Sequence, residues 1–264
     1  MCELLAICAR RPTSFSLSFE ELARHGDRNK PNHDGWGTAF VREHDALVIK
    51  EPCPAGNSAM ARFIADADIE STIVISHIRR ATCGRTVFEN THPFSRELGG
   101  RSHVFAHNGS LPGARAMELG SFRPLGETDS EHAFCALLAR LEPRWRRSGM
   151  PSLRERGEVV AEFAEELRAM GPANFLYTDT DSLFVHSHRR SKEDDAEPDR
   201  PGLHILHRDC PVQLGGIRGR PSSDDEQRVH LVATVPLSDE AWQPMGIGEL
   251  AVFRGGKRVD GAEA

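Results

Sequence analysis

Five groups of residues in this chain could do chemistry, and the first stands at its start. Cys2 follows the initiator methionine in Met1-Cys2-Glu3-Leu4-Leu5. A small second residue permits removal of Met1, and the chain would then begin with a cysteine carrying both a thiol and a free α-amine. An unperturbed thiol titrates near ~8.5 and an α-amine near ~7.7–8.0, so the two can share one proton around neutral pH. A single residue would supply a nucleophile and its general base. The competing expectation is an ordinary buried cysteine, because cysteine is among the most buried residue types.

The other four groups lie at strand ends or helix starts. His77-Ile78-Arg79-Arg80-Ala81-Thr82-Cys83-Gly84 leaves an apolar run, a common place to present side chains to a cleft. Arg79 there could hold a carboxylate through two parallel hydrogen bonds; the alternative is a surface arginine pair. In Asn90-Thr91-His92-Pro93-Phe94, proline holds His92 extended, where it could contact a substrate or simply brace a loop. Ala106-His107-Asn108-Gly109 ends a strand in a turn signal. The Asn108 amide and the Gly109 backbone N–H could equally stabilise a developing oxyanion, with glycine allowing close approach. Glu127-Thr128-Asp129-Ser130-Glu131 opens a helix, where acidic residues serve as caps, and Asp129 could also bind a cationic amine.

Taken together these groups amount to a thiol nucleophile, an oxyanion stabiliser, a cation for a carboxylate and an anion for an ammonium. A ligand with an amino-acid head and a side-chain carbonyl would use each of them, and glutamine is such a ligand.

The elements that must position these groups are mainly short strands. Val, Ile, Leu and Phe content predicts strands at 3–8, 38–42, 46–50, 72–78, 102–107, 175–178, 183–186, 203–207, 229–235 and 250–254, with 38–50 forming a hairpin. Helices are expected at 57–66, with Met60, Phe63 and Ile64 on one face, at 128–141 and at 151–170. The second has Thr128 and Glu131 at capping-box spacing and is expected to stop before Pro143. The third carries Val159, Val160, Phe163 and Leu167, with Gly171 as its C-cap. Charged or Gly/Pro/Ser-rich surface loops are expected near 188–200 and 215–228.

Composition narrows the function classes. The chain has 264 residues, 39% hydrophobic and 27% charged, and a formal net charge of −6. That size supports a sizeable core. The acidic balance disfavours nucleic acid or an anionic membrane as partner. No apolar run approaches the ~20 residues of a membrane span, and no secretory signal is visible. The six cysteines lack CxxC spacing, and the 13 histidines form no HExxH pair. A disulfide framework, a metal centre and any other cofactor are therefore not expected, and a cytoplasmic location is.

Cys2, Arg79-Arg80-Ala81-Thr82-Cys83-Gly84, His92-Pro93, Asn108-Gly109 and Thr128-Asp129 recur in this order in class II glutamine amidotransferases, which are N-terminal nucleophile hydrolases. Asp34-Gly35-Trp36-Gly37 ahead of a strand is similar to the stand-alone, YafJ-type branch. The likeness continues through Thr91–Leu98 and Phe122–Glu131 and covers most of the chain. It implies an α+β fold, a four-layer αββα sandwich of two antiparallel sheets, with residues 1–264 as one domain. It implies Cys2 as nucleophile, Asn108 and Gly109 as oxyanion hole, Arg79 on the glutamine α-carboxylate and Asp129 on its α-amine. Thr82 and His92 would line or brace the pocket. Two positions differ from the usual pattern: Arg80 stands where members commonly have an aromatic residue, and Cys83 where they have histidine. The expected activity is hydrolysis of the glutamine side-chain amide through a γ-glutamyl thioester, with ammonia passed to a separate acceptor subunit or released. Two alternatives are hydrolysis of a γ-glutamyl amide in a small metabolite, and a catalytically silent binding module on the same fold.

Overall fold

The computed structural model describes residues 2–14, 16–26, 32–81, 84–190, 200–210 and 227–259. Thr82, Cys83, most of the 188–200 loop and nearly all of the 215–228 loop lie outside the described residues.

Alternating burial explains the architecture. In β1 (Glu3–Thr13), Leu4, Ala6 and Cys8 face one hydrophobic layer while Leu5, Ile7 and Ala9 face another. A strand covered on both faces needs apolar residues at every position, which is why its hydrophobicity does not alternate. β1 lies inside a seven-stranded sheet, paired antiparallel with β4 (Ser71–Ile78) and β10 (Gln227–Ala233). Beyond β4 come β2 (Trp36–Arg42) and β3 (Asp45–Glu51); beyond β10 come β9 (His204–Cys210) and β11 (Gln243–Pro244).

The second sheet has six strands. From one edge to the other they are β13 (Lys257–Val259), β12 (Leu250–Arg254), β8 (Leu183–His186), β7 (Ala173–Thr178), β6 (Arg101–Gly109) and β5 (Phe94–Leu98). Val104, Ala106, Leu176 and Val185 face the first sheet and pack on Leu4, Ala6 and Ile75. The opposite face carries Phe105, Phe175 and Phe184 against α3 (Asp129–Ser148) and α4 (Leu153–Met170). The helices α1 (Ser16–His25) and α2 (Ala59–Asp66) lie on the outer face of the seven-stranded sheet. The four layers are therefore α, β, β, α, as the resemblance implied. The helix-side core contains an offset stack of Phe105 on Phe134, centroids 5.4 Å apart, which contributes about 0.5–1.5 kcal/mol beyond area burial.

Several elements differ from the sequence expectation. α3 does not stop at Pro143 but continues to Ser148. Proline removes one backbone donor there, and burial of Leu141 and Trp145 on either side offsets that loss. The α3 capping box is half formed. Thr128 Oγ1 accepts the Glu131 N–H at 3.2 Å, but the Glu131 carboxylate goes to Arg96 and to the N–H groups of Leu125 and Gly126. A complete box opens α4, between Ser152 and Glu155. On α2 the buried residues are Ala61 and Ile64, while Met60 and Phe63 are exposed. α1, β5, β11 and β13 were not expected.

The tip joining β7 to β8 is held by charge. Arg156 of α4 is 2% exposed and donates to Asp179 Oδ2 at 2.5 Å and to Asp181 Oδ2 at 2.9 Å. Asp179 Oδ1 also accepts the N–H groups of Asp181 and Ser182. Removing one member of a buried pair strands the other charge, so Asp179→Ala should lower stability by about 3–5 kcal/mol in urea unfolding. Arg254→Ala, which breaks the half-exposed bond to Asp181, should cost less than about 1 kcal/mol.

Buried imidazoles set the acid limit of stability. Burial pushes His103, His186 and His230 down to about 4 from an ordinary value of 6.5. Each is held neutral when folded and binds a proton more readily when unfolded, so its contribution is intact above pH 6.5 and is lost as pH falls toward 4. The unfolding midpoint should fall steeply across that window, and His186→Gln should flatten the slope.

Candidate active site

The site is built around the first strand's beginning. Register pairs Glu3 with Ile78 and Leu4 with His77, so Cys2 lies level with the exit of β4. That exit carries Arg79 and Arg80. The Cys2 thiol donates to the Arg80 carbonyl at 3.2 Å and accepts the Arg80 N–H at 3.1 Å. The chain beyond is anchored in turn: Asp34 Oδ2 accepts the Ala81 N–H at 2.8 Å, and Arg79 N–H donates to the Gly35 carbonyl at 2.7 Å.

The second sheet approaches the same residue from the other side. In β6, Val104 and Ala106 face between the sheets, and Asn108 follows them in phase. Its Nδ2 donates to the Cys2 carbonyl at 2.6 Å. Gly109 comes next with φ of +158°. A Cβ there would stand 1.8 Å from the Pro172 carbonyl oxygen and 2.8 Å from His107 Nε2, so no larger residue fits.

Asp129 is bound to the same strand end. As the first residue of α3 it accepts the Leu111 N–H at 2.7 Å on Oδ2 and the Ser130 N–H at 2.8 Å on Oδ1. Helix start and carboxylate thus lock the loop that leaves Gly109. Ser130 Oγ lies 2.9 Å from His107 Nδ1, joining α3 to β6 again.

Arg79 is buried, and its guanidinium donates to the carbonyls of Arg85 at 3.1 Å and Gly84 at 3.2 Å. It shapes the loop after β4. His92 is buried and stacks on His77, ring centroids 4.2 Å apart. Gly37 makes room for it, since a Cβ there would lie 2.3 Å from the His92 carbonyl oxygen. Cys2, Asn108, Gly109, Arg79 and Asp129 are therefore brought together at the ends of β4 and β6, with His92 stacked on His77 of β4. Thr82 lies outside the described residues.

The electrostatics bear on which group could take the thiol proton. Burial raises the Cys2 thiol, opposed by the Arg80 backbone bond, the nearby chain terminus and Arg79. Burial drives His77 down to about 3 and His92 well below its ordinary value, and it lowers His107 against the pull of Asp129. All three imidazoles stay neutral, and the two hydrogen-bond partners of Sγ among the described residues are both main-chain atoms of Arg80. A Cys–His dyad is not formed among them. No set of three or more His, Cys, Asp or Glu side chains among the described residues could hold a metal ion.

Residues without an assigned role in the sequence also support the site. Asn174 of β7 donates from Nδ2 to the Asn108 carbonyl at 3.3 Å and to the Arg189 carbonyl at 3.1 Å, and accepts the His188 N–H at 2.7 Å. Nothing in its apolar surroundings announces this. Ser130 and Asp34 fall within quoted motifs, but their hydrogen bonds depend on elements distant in sequence.

Residues 1–263 match the family of class-II glutamine amidotransferases. YafJ of Escherichia coli K12, assigned by name as a glutamine amidotransferase, is 36% identical over 98% of this chain and 100% of its own length. The 2.0 Å crystal structure of a predicted glutamine amidotransferase from Pseudomonas aeruginosa PA01 superposes with a TM-score of 0.69 at 30% identity, covering 98% of this chain and 100% of that one. Glutamine phosphoribosylpyrophosphate amidotransferase from B. subtilis shares the fold at 16% identity, with a TM-score of 0.60 over 96% of this chain and 47% of that one. The chain belongs to the class-II glutamine amidotransferases.

Proposed function

We propose that this protein hydrolyses the side-chain amide of glutamine with an N-terminal cysteine. The observation that carries the reading is the 2.6 Å bond from Asn108 to the Cys2 carbonyl, which ties the end of β6 to the residue that would carry the nucleophile. Removal of Met1 frees the α-amine. With neighbouring imidazoles neutral and none bonded to Sγ, that amine is the base within reach.

The thiolate attacks the amide carbon, and the oxyanion is held by the second Asn108 N–H and the Gly109 N–H. The protonated α-amine gives its proton to the departing ammonia. Water, activated by the same amine, then cleaves the γ-glutamyl thioester and restores the thiol. Arg79 and Asp129 receive the α-carboxylate and α-amine of glutamine, with Thr82 and His92 lining the pocket. The reaction needs no cofactor. Residues 1–264 act as one domain in the cytoplasm, and the ammonia is either released or passed to a separate acceptor subunit.

Each oxyanion donor is worth about 3 kcal/mol of barrier. Asn108→Ala should therefore release ammonia from glutamine roughly 10²–10³ times more slowly, with an unchanged circular dichroism spectrum. Equal rates in mutant and parent would remove Asn108 from the chemistry. A variant with an uncleavable residue ahead of Cys2 should lose steady-state turnover, and its thiol should alkylate faster as pH is raised well above neutral, because burial keeps the thiol protonated without the amine.

A further inference from the structure

We infer that Asn90 is a positioning residue for the amino-acid head of the substrate. Its side-chain amide fixes the loop that cradles Arg79 against the helix start that carries Asp129. The two charged anchors then keep one spacing, and an α-carboxylate and an α-amine are recognised as a pair. This rests on Arg79 and Asp129 receiving those two groups, and it adds the residue that holds them in register.

Each end of that amide is bonded to a different anchor. Nδ2 donates to the Arg85 carbonyl at 3.0 Å, the same oxygen that the Arg79 guanidinium reaches at 3.1 Å. Oδ1 accepts the Glu127 N–H at 2.7 Å, just before the Thr128 cap and Asp129. Asn90 is 1% exposed, so both bonds are made away from water, where losing a partner is costly. A glycine on each side makes room for it. At Gly84, whose φ is +74° and whose carbonyl also accepts from Arg79, a Cβ would stand 2.9 Å from Nδ2 and 3.5 Å from Thr128 Cγ2. At Gly126 a Cβ would overlap Oδ1. The Arg79 loop, Asn90 and the start of α3 therefore pack as one block.

Asn90 is itself held from behind. It ends the short turn Phe88–Asn90, its N–H donating to the Val87 carbonyl at 3.2 Å, and Thr91 Oγ1 donates to that carbonyl at 3.0 Å. Lys50 of β3 donates to the Thr91 carbonyl at 2.7 Å, with its Nζ 4.8 Å from the centre of the Phe88 ring. A second link between the two loops, from Arg85 to Glu127, spans 3.9 Å between exposed side chains and contributes little. Asn90 takes no part in bond making. A head group bound at both ends needs its two partners at a matched separation, so loosening that spacing weakens both contacts at once. Asn90 makes no bond to Cys2, Asn108 or Gly109, so the loss falls on KM and not on kcat.

Ammonia release from three amides tests this: glutamine, 5-amino-5-oxopentanoate, which lacks the α-amine, and 4-aminobutanamide, which lacks the α-carboxylate. In the full chain each deletion should lower kcat/KM by roughly tenfold or more. Asn90→Ala should raise KM for glutamine by roughly 10- to 100-fold with kcat held within about threefold, and should shrink both deletion penalties together. Asn90→Asp keeps the acceptor for the Glu127 N–H and loses the donor to the Arg85 carbonyl. The α-amine penalty should therefore return in it while the α-carboxylate penalty stays small. Gly126→Ala, which crowds Oδ1 without removing the amide, should reproduce the Asn90→Ala pattern and carries the test should that variant not fold. Glu127→Gln, which removes only the exposed ion pair, should leave the rates unchanged. A fall in kcat at constant KM, a change in one penalty or neither in Asn90→Ala, or an equal effect from Glu127→Gln overturns the inference. A parent that binds glutamate in calorimetric titration but releases no ammonia loses the amidase reading alone, and the same penalties, read in Kd for the three amides, then decide Asn90. A parent that does neither loses both readings. Ammonia release from glutamine with both penalties intact in Asn90→Ala upholds the amidase reading and refutes this one.

Discussion

A hydrogen bond joins the two sheets at the proposed point of reaction. The Asn108 amide, at the end of β6, donates to the carbonyl of Cys2, just ahead of β1. Everything else in the site can be understood as fixing the two ends of that bond. β1 is held by β4 and β10 on its flanks and buried on both faces, so Cys2 just ahead of it has little freedom. β6 is held by β5 and β7, and its end is pinned by Asn174 below and by Asp129 and Ser130 of α3 above. A four-layer sandwich makes this possible because each sheet is covered on both sides, leaving strand ends as the places where polar groups can converge.

Most polar groups of the site also help to shape it. Arg79 closes its own loop through two carbonyls, and Asp34 holds the same loop from the opposite side. His77, His92 and His107 are buried and neutral, and they behave as packing groups rather than bases. The thiol is bonded to main-chain atoms, which orient it without accepting its proton permanently. A nucleophile so surrounded would need a base that the described side chains do not provide, and in the proposed mechanism a terminal amine on the same residue supplies it.

Much of this was legible in the sequence because chemistry and conformation select the same residues at strand ends. Asn108-Gly109 signals a turn and also fits a narrow space against Pro172 that admits only glycine. β8 and β12 have the bounds expected, since short apolar runs there are closed by turn residues. What escaped detection has physical reasons. β5 is apolar only at Phe94 and Leu98, with Ser95, Arg96 and Glu97 between them, so no alternation announces it. In the part of α1 whose side chains are described, Leu22 alone is buried, too thin a stripe to read as a helix face. β11 and β13 span two and three residues, below any periodicity. α3 passes through Pro143 because tertiary packing outweighs one missing donor. Asn174 could not be singled out, since its three partners lie 14 to 66 residues away.

The central claim is that the working nucleophile is the sulfur of an unblocked first residue. The most direct measurement is peptide-level mass spectrometry of the native protein after exposure to a diazoketone analogue of glutamine. The account predicts that the chain begins at Cys2, that one equivalent of label is carried on the Cys2 sulfur, and that excess glutamine protects it. A chain that keeps Met1, or label found on Cys8, Cys53 or Cys135 while Cys2 stays unmodified, would contradict it.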